Sequence, residues 1–163
     1  MSKDIFVALI DSGCRFETHE KVSVNVKNGK AEIINQGDVK YRHGDVIGEI
    51  IVSNENIKLY DIQVFDKDLR TTPLHIIGAL EYLKDKKVDV INMSLGLKTN
   101  YKEIEDLCNY FTSKGVTIIS SFPRSGAEFV FPASYDEVIS VTSDGKCQEN
   151  EISCIDSNKS LFG

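Results

Sequence analysis

Apolar and polar residues follow one another along this chain in blocks that predict strands and helices in turn. Residues 5–10 form an unbroken apolar run that stops at Asp11, which is the pattern of a strand buried on both faces. Residues 22–26 and 31–34 alternate apolar and polar side chains around Asn28-Gly29, a strong hairpin signal. Further apolar runs predict four more strands, at residues 57–65, 88–93, 116–120 and 138–141.

Three stretches between these strands have helical spacing. Residues 42–52 carry His43 at the N-terminal end and apolar side chains at 46, 47, 50 and 51, which we expect to form one face. Thr72 and Pro73 begin a second helix, as a hydroxyl cap and a first-turn proline. The predicted buried stripe of that helix is Leu74, Ile76, Ile77, Leu80 and Leu83.

The third helix begins at residues 100–103, which resemble a capping box, and Gly115 ends it. Its predicted inward residues are Ile104, Leu107, Cys108 and Phe111. Strands that alternate with helices in this way predict a three-layer α/β fold with a mainly parallel sheet and crossover helices. Because the chain has 163 residues and no linker or repeat, we predict a single domain over residues 1–163.

Composition limits the classes of function. Hydrophobic residues make up 41% and charged residues 27% of the chain, and the net charge of -6 without a basic run disfavours nucleic-acid binding. No apolar stretch approaches the ~20 residues that span a bilayer, and the first residues lack the pattern of a signal peptide. We therefore expect a cytoplasmic protein that binds neither nucleic acid nor a membrane.

The four cysteines are scattered without a Cys-x-x-Cys pair, so we expect free thiols in a reducing compartment. Cys108 falls on the apolar face of the third helix and is predicted to lie in the core, whereas Cys14 follows a turn and is expected to be partly exposed. Cys147 and Cys154 could pair or bind a metal, although no histidine lies near them in the sequence. The sequence indicates no cofactor, no metal site and no Asp-rich calcium loop.

Four separate segments stand out by their residue order. Residues 7–13 read Val-Ala-Leu-Ile-Asp-Ser-Gly, and residues 43–51 read His-Gly-Asp-Val-Ile-Gly-Glu-Ile-Ile. Residues 90–96 read Val-Ile-Asn-Met-Ser-Leu-Gly, and residues 131–141 begin with Phe-Pro-Ala-Ser-Tyr. In this order they resemble the aspartate motif, the histidine motif, the substrate-binding strand and the segment after the oxyanion-hole Asn of subtilisin-like serine proteases (subtilases, peptidase S8).

The resemblance implies roles for particular residues. Asp11 and His43 match the acid and the base of a catalytic triad, in which the base takes the proton of the nucleophile and the carboxylate orients the base. Ser94-Leu95-Gly96 matches the edge on which the family pairs an extended substrate backbone. His19 and His75 match no motif, and we interpret them as surface or helix residues with ordinary partners.

The chain departs from the family pattern at the nucleophile. It contains no Gly-Thr-Ser and no Gly-x-Ser-x-Gly segment. The late serines, Ser157 and Ser160, lack the glycine-bounded turn and the following helix that the family's nucleophile requires.

Two other motifs are altered as well. The family's oxyanion segment aligns with residues 122–126 and puts Arg124 in the place of the Asn side chain. Loss of such a donor typically costs ~10²–10³ in rate, and an Arg has a different reach and geometry. In the histidine motif, Asp45-Val46 replaces Thr-His and Glu49 replaces Gly.

We therefore expect a catalytically inactive subtilase-like domain, incomplete at its C-terminus, that binds a peptide or a partner protein. The alternative is a serine endopeptidase whose nucleophile comes from another chain or from a missing C-terminal segment. A third hypothesis is a different α/β enzyme that uses the thiol of Cys14. Because a parallel sheet needs both faces covered, an incomplete domain should expose apolar surface and associate with a second copy or another chain.

Overall fold

The computed structural model describes residues 3–54, 56–66, 68–124, 129–148, 151–156 and 161–163. By its internal contacts the chain forms two compact units, Met1–Asn92 and Met93–Gly163, which are described in turn. The single domain over residues 1–163 stays a prediction.

The first unit is built on a sheet whose central strands are parallel. In chain order its strands are β1 (Ile5–Asp11), β2 (Glu20–Lys27), β3 (Lys30–Asn35), β4 (Ile57–Gln63) and β5 (Val90–Met93). Their order across the sheet is β3-β2-β4-β1-β5. The β4 strand pairs in parallel with both β1 and β2. The β2 and β3 strands pair antiparallel. This arrangement of parallel strands joined through helices confirms the predicted α/β class.

The hairpin between β2 and β3 forms as predicted. Lys27 pairs with Lys30, so the connection has two residues. Asn28 and Gly29 both adopt positive φ angles, 51° and 73°. This is the conformation that two-residue hairpin loops favour, because its twist matches that of the strands.

The helix α1 (His43–Val52) begins where the sequence predicts, but only part of its predicted apolar face is turned inward. Val46 and Ile50 are 45% and 63% exposed. The fully buried positions are Gly44, Asp45 and Gly48. The predicted Ile47 and Ile51 are half-buried and pack against the core of the unit. A Cβ at Gly44 would collide with the carbonyl oxygen of Gly13, which shows how closely the helix approaches the loop after β1. The close approach fixes the rotation of the helix and leaves part of its apolar surface outside.

The helix α2 (Pro73–Leu83) confirms its predicted start and most of its buried stripe. Ile76, Leu80 and Leu83 are fully buried, whereas Leu74 and Ile77 are half-buried. Small residues join the buried face, since a Cβ at Gly78 would lie only 2.6 Å from the Cβ of Ala31 in β3. The helix therefore approaches the hairpin closely at Gly78, where Ala31 and Val24 face it.

Among its described residues, the second unit contains one helix and four short strands. They are α3 (Lys102–Ser113), β6 (Thr117–Ser121), β7 (Ile139–Val141), β8 (Cys154–Asp156) and β9 (Leu161–Phe162). The strand order is β6-β7-β9-β8, with parallel pairs except between β8 and β9. The sequence did not predict β8 and β9, because strands of two or three residues leave no readable periodicity.

The helix α3 confirms its predicted inward face, since Ile104, Leu107, Cys108 and Phe111 are all buried. Its C-terminal cap is also confirmed: Gly115 has a φ of 82°, and the N–H of Val116 donates to the carbonyl of Phe111. The predicted capping box at residues 100–103 is wrong. Tyr101 is the N-cap residue, and Asn100 Oδ1 instead accepts a hydrogen bond from Tyr135 Oη at 2.9 Å.

Within the part of the chain that the structure describes, we find no helix long and apolar enough to cross a membrane.

Candidate active site

The carboxylate of Asp11 is held at the C-terminal end of β1, where parallel sheets place functional groups. The side chain is 1% exposed. Its Oδ1 accepts a hydrogen bond from the N–H of Ser12 at 2.6 Å, and its carbonyl accepts one from Val64 at 2.9 Å. Strand pairing and this local hydrogen bond therefore fix both the backbone and the carboxylate.

His43 lies against this carboxylate. Its Nδ1 is 2.9 Å from Oδ1 and 2.9 Å from Oδ2 of Asp11, and its side chain is 55% exposed. The structure thus brings together the two residues that the sequence pairs as acid and base. When Nδ1 carries the proton that is donated to Asp11, Nε2 is the ring nitrogen that can accept another proton.

The loop that follows Asp11 contacts the first turn of α1 directly. Ser12 Oγ accepts a hydrogen bond from the N–H of Gly44 at 3.0 Å, and the thiol of Cys14 donates to the carbonyl of Gly44 at 3.3 Å. Gly13 has a φ of 91°, a conformation that glycine adopts readily. The paired glycines allow loop and helix to approach until backbone contacts backbone.

Cys14 is fully buried, so the prediction of partial exposure is wrong. Its N–H donates to Asp61 Oδ2 at 2.7 Å, which places the residue beneath the loop rather than at its surface. Burial raises the pKa of the Cys14 thiol, and the negative charges of Asp61 and Asp45 raise it further. The thiol therefore stays protonated, and this environment disfavours the hypothesis of a thiol nucleophile.

Asp61 is a buried carboxyl group that sequence reasoning did not single out. Its Oδ2 also accepts a hydrogen bond from Gln36 Nε2 at 2.8 Å. Burial raises the pKa of Asp61 above its ordinary value, against the hydrogen bonds from Gln36 and Cys14 that lower it. Its position within the apolar part of β4 gave no signal of function, because its partners lie far away in the sequence.

The segment Ser94-Leu95-Gly96 belongs to the second unit and follows β5. The side chain of Leu95 is buried, and its carbonyl accepts hydrogen bonds from the hydroxyls of Ser120 and Ser121. Gly96 is exposed, and a Cβ at this position would overlap Val130. The segment is therefore anchored through Leu95, while Gly96 is exposed to solvent beside Val130 and precedes Leu97, which pairs with Phe131.

Arg124 also lies in the second unit, three residues after β6, and is exposed. Its guanidinium packs beside Gly145, where an added Cβ would lie 2.9 Å from Nη2. It lines a cavity of about 520 Å³. Ser125 and Gly126 of the aligned oxyanion segment, and the late serines Ser157 and Ser160, lie outside the described residues.

The remaining histidines and cysteines have structural surroundings. His19 packs edge-on against Phe6 and Tyr60, and His75 Nδ1 accepts a hydrogen bond from the N–H of Thr72. Burial raises the pKa of Cys108 to about 12, as expected of a core thiol. Cys147 and Cys154 are free thiols. Across the described ranges, no three His, Cys, Asp or Glu side chains cluster as a metal site would require.

Comparison with known proteins adds a family to this geometry. The model of the subtilase family matches residues 2–161. A thermophilic serine proteinase of Bacillus sp. (strain AK1) is 27% identical over 149 residues, which cover 83% of this chain and 37% of that protein. Subtilisin BL of Lederbergia lenta is 27% identical over 148 residues, which cover 83% of this chain and 54% of that protein.

Solved structures agree at the level of the fold. The S41 psychrophilic protease superimposes with a TM-score of 0.66 at 20% identity, covering 85% of this chain and 53% of its own. The subtilisin-like protease Apa1 from an Antarctic Pseudoalteromonas superimposes with a TM-score of 0.64 at 20% identity, covering 84% and 35%. The chain thus spans between about a third and just over half of the length of these relatives.

Proposed function

Because this chain belongs to the subtilase family, we propose that it carries the acid–base half of a serine-peptidase site and, by itself, binds a peptide or a partner protein without cleaving it. The contact between Asp11 and His43 carries the proposal. A buried carboxylate on Nδ1 fixes the tautomer of the ring and stabilises the imidazolium that forms when Nε2 takes a proton. That is the task of a general base towards a hydroxyl nucleophile.

Two departures from the family pattern support the proposal that the chain by itself does not cleave. The 163 residues contain no Gly-Thr-Ser segment, and the members of a triad act as a unit, so that a base without its nucleophile gives little rate. Arg124 takes the position of the oxyanion Asn in the family pattern, and its exposed guanidinium is a donor of different shape. Both departures favour a binding role over turnover.

Peptide binding is proposed for the segment Ser94-Leu95-Gly96. The Leu95 side chain is buried and its carbonyl accepts hydrogen bonds from the Ser120 and Ser121 hydroxyls, which holds the segment in place, while Gly96 is exposed with Val130 beside it. Because Leu97 already pairs with Phe131, the peptide would add to the segment before that bridge. An extended peptide would add to this segment by backbone hydrogen bonds, which is the mode of β-strand addition.

The exposed side chains on α1 support association with a partner protein. Val46 and Ile50 follow His43 on the same helix and are largely exposed, although both are strongly apolar. Fully burying two such side chains stabilises a contact by roughly 1.5–3 kcal/mol each. We propose that a second copy of the chain or another polypeptide covers them.

The test of the binding role uses two peptides and one activity probe. Purified chain should show no labelling by a fluorophosphonate and no hydrolysis of a fluorogenic peptide, yet it should bind an extended fluorescent peptide. The same peptide with N-methylated backbone amides is the matched control and should bind at least tenfold more weakly. Hydrolysis by the purified chain would refute the proposal, and so would equal binding of the two peptides.

A second candidate is a serine endopeptidase whose nucleophile is supplied by another segment or polypeptide. The intact Asp11–His43 contact favours it, because a base oriented by a carboxylate is the group that would take the proton of such a nucleophile. Addition of a polypeptide that carries the Gly-Thr-Ser portion of a subtilase should then produce hydrolysis, and His43→Ala should abolish it. Activity equal to that of the wild type in the His43→Ala mixture would remove this candidate.

A further inference from the structure

The carboxylate of Asp45 contacts Arg15 beside the candidate active site. Its Oδ1 accepts a hydrogen bond from the backbone N–H of Arg15, and its Oδ2 accepts one from Arg15 Nε, both at 2.5 Å. The Asp45 side chain is 8% exposed although it carries a charge. Two charge-assisted hydrogen bonds to one carboxylate are stronger and more directional than bonds between neutral groups.

The electrostatic surroundings keep this carboxylate ionised. Burial acts to raise the pKa of Asp45, but the hydrogen bonds from Arg15 and the positive charges of Arg15 and Arg42 bring it below its ordinary value. Asp45 also lies in the first turn of α1, where a negative charge interacts favourably with the helix dipole. The contact is therefore a formed ion pair at neutral pH.

The Arg15–Asp45 ion pair lies close in the sequence to the acid and the base. Arg15 lies four residues after Asp11, and Asp45 lies two residues after His43. Between them the hydroxyl of Ser12 and the thiol of Cys14 hold the backbone of Gly44. Any shift of the first turn of α1 away from the loop must break the ion pair together with these bonds.

The same pair departs from the pattern that the chain otherwise resembles, since the family's histidine motif has Thr-His where this chain has Asp45-Val46. We propose that Asp45 is a positioning residue: clamped by Arg15, it holds the first turn of α1 on the loop after β1 and so keeps His43 in contact with Asp11. The inference rests on the acid–base role proposed above.

The test follows the ring N–H of His43 by NMR in the full chain. In the wild type, the Nδ1–H bonded to Asp11 should give a resonance protected from exchange with water. Asp45→Asn removes the charge at constant size and should speed this exchange roughly tenfold or more, as expected for loss of a hydrogen bond to a charged group. Arg15→Ala removes the Nε bond and the guanidinium charge but keeps the bond from the backbone N–H, and it should have a smaller effect in the same direction.

Glu49→Gln is the matched control. Glu49 is an exposed acidic residue on the same helix and lines the same cleft as Arg15 and Asp45. In Glu49→Gln, the exchange rate of the His43 ring proton should therefore stay within about twofold of the wild type. Amide exchange in the core of α2 separates positioning from general destabilisation. If Asp45 positions His43, the exchange rates of these amides should not change in Asp45→Asn. If Asp45 only stabilises the fold, their exchange rates should rise together with that of the His43 ring proton.

The outcomes distinguish this inference from the function on which it rests. Unchanged protection of the His43 ring proton in both Asp45→Asn and Arg15→Ala would overturn the positioning role while leaving the acid–base pair intact. Loss of protection spread equally over α2 would also overturn it. A wild-type chain without any protected His43 ring proton would overturn the acid–base pair itself, and the positioning role with it.

Discussion

Replacing Gly44 by alanine tests how closely α1 approaches the loop after β1. A Cβ at this position would collide with the carbonyl oxygen of Gly13 and lie 3.0 Å from its N and C atoms. These obstacles belong to the backbone and cannot rotate away as a side chain could. The loop or the helix must therefore move.

Two opposing effects set the magnitude. Alanine favours a helix over glycine by up to about 1 kcal/mol, whereas overpacking of a tight contact typically costs about 1–3 kcal/mol. Since the obstacle is backbone, the upper part of that range applies, and we expect a net loss of about 1–2 kcal/mol in the free energy of unfolding. At a urea m-value of about 2 kcal/mol per M, the unfolding midpoint should fall by roughly 0.5–1 M.

The assay is urea unfolding followed by far-UV circular dichroism. Gly37→Ala is the matched control, because an added Cβ there meets nothing within 4 Å, and its effect should stay within about 0.5 kcal/mol. Gly44→Ala should also weaken protection of the His43 ring proton, since the helix carries that residue. A Gly44→Ala chain as stable as the wild type, with that proton still protected, would refute the close approach.

Three further predictions concern acid stability, thiol reactivity and the core. Because the pKa of Asp45 is lowered in the folded state, its contribution to stability is fully present above the unfolded value of about 3.9 and is lost as the pH falls through the folded value. Acid unfolding of Asp45→Asn should therefore lack that part of the pH dependence, and a curve parallel to the wild type down to low pH would contradict this. Iodoacetamide at neutral pH should label the exposed Cys154 first and leave the buried Cys14 slow, as mass spectrometry of tryptic peptides can show; equal rates would be incompatible with the burial of Cys14. Leu80→Ala should cost about 2–5 kcal/mol in urea unfolding, whereas Ile50→Ala at an exposed position should stay within about 0.5 kcal/mol; similar losses for both would contradict the assigned faces.

Local patterns were enough to predict the elements whose surroundings are also local. The β2–β3 hairpin and the C-terminal end of α3 depend on Asn28-Gly29 and Gly115, and both formed as expected. The capping box of α3 failed because Asn100 bonds to Tyr135, 35 residues further along. The inward face of α1 was predicted only in part: Ile47 and Ile51 pack on the core, but Val46 and Ile50 are exposed because the small residues of the helix meet the loop after β1.

The candidate site, too, could be predicted only in part. The resemblance predicted the pairing of Asp11 with His43, which the structure brings into contact. It gave no indication of the clamp between Arg15 and Asp45, because the two residues are 30 positions apart and the contact depends on how the loop folds. From the sequence alone, an acidic residue in the first helical turn such as Asp45 is explained by its favourable interaction with the helix dipole.

The role of Asp11 is tested most directly by the exchange protection of the His43 ring proton, compared between the wild type and Asp11→Asn. His43→Ala is used to assign the resonance. We expect an Nδ1–H that is protected from exchange in the wild type and unprotected in Asp11→Asn. The amide oxygen would stay on the Ser12 N–H, and the amide NH2 that faces Nδ1 is a donor, which favours the tautomer protonated at Nε2. Equal protection in the two chains would contradict the claim that Asp11 orients the base.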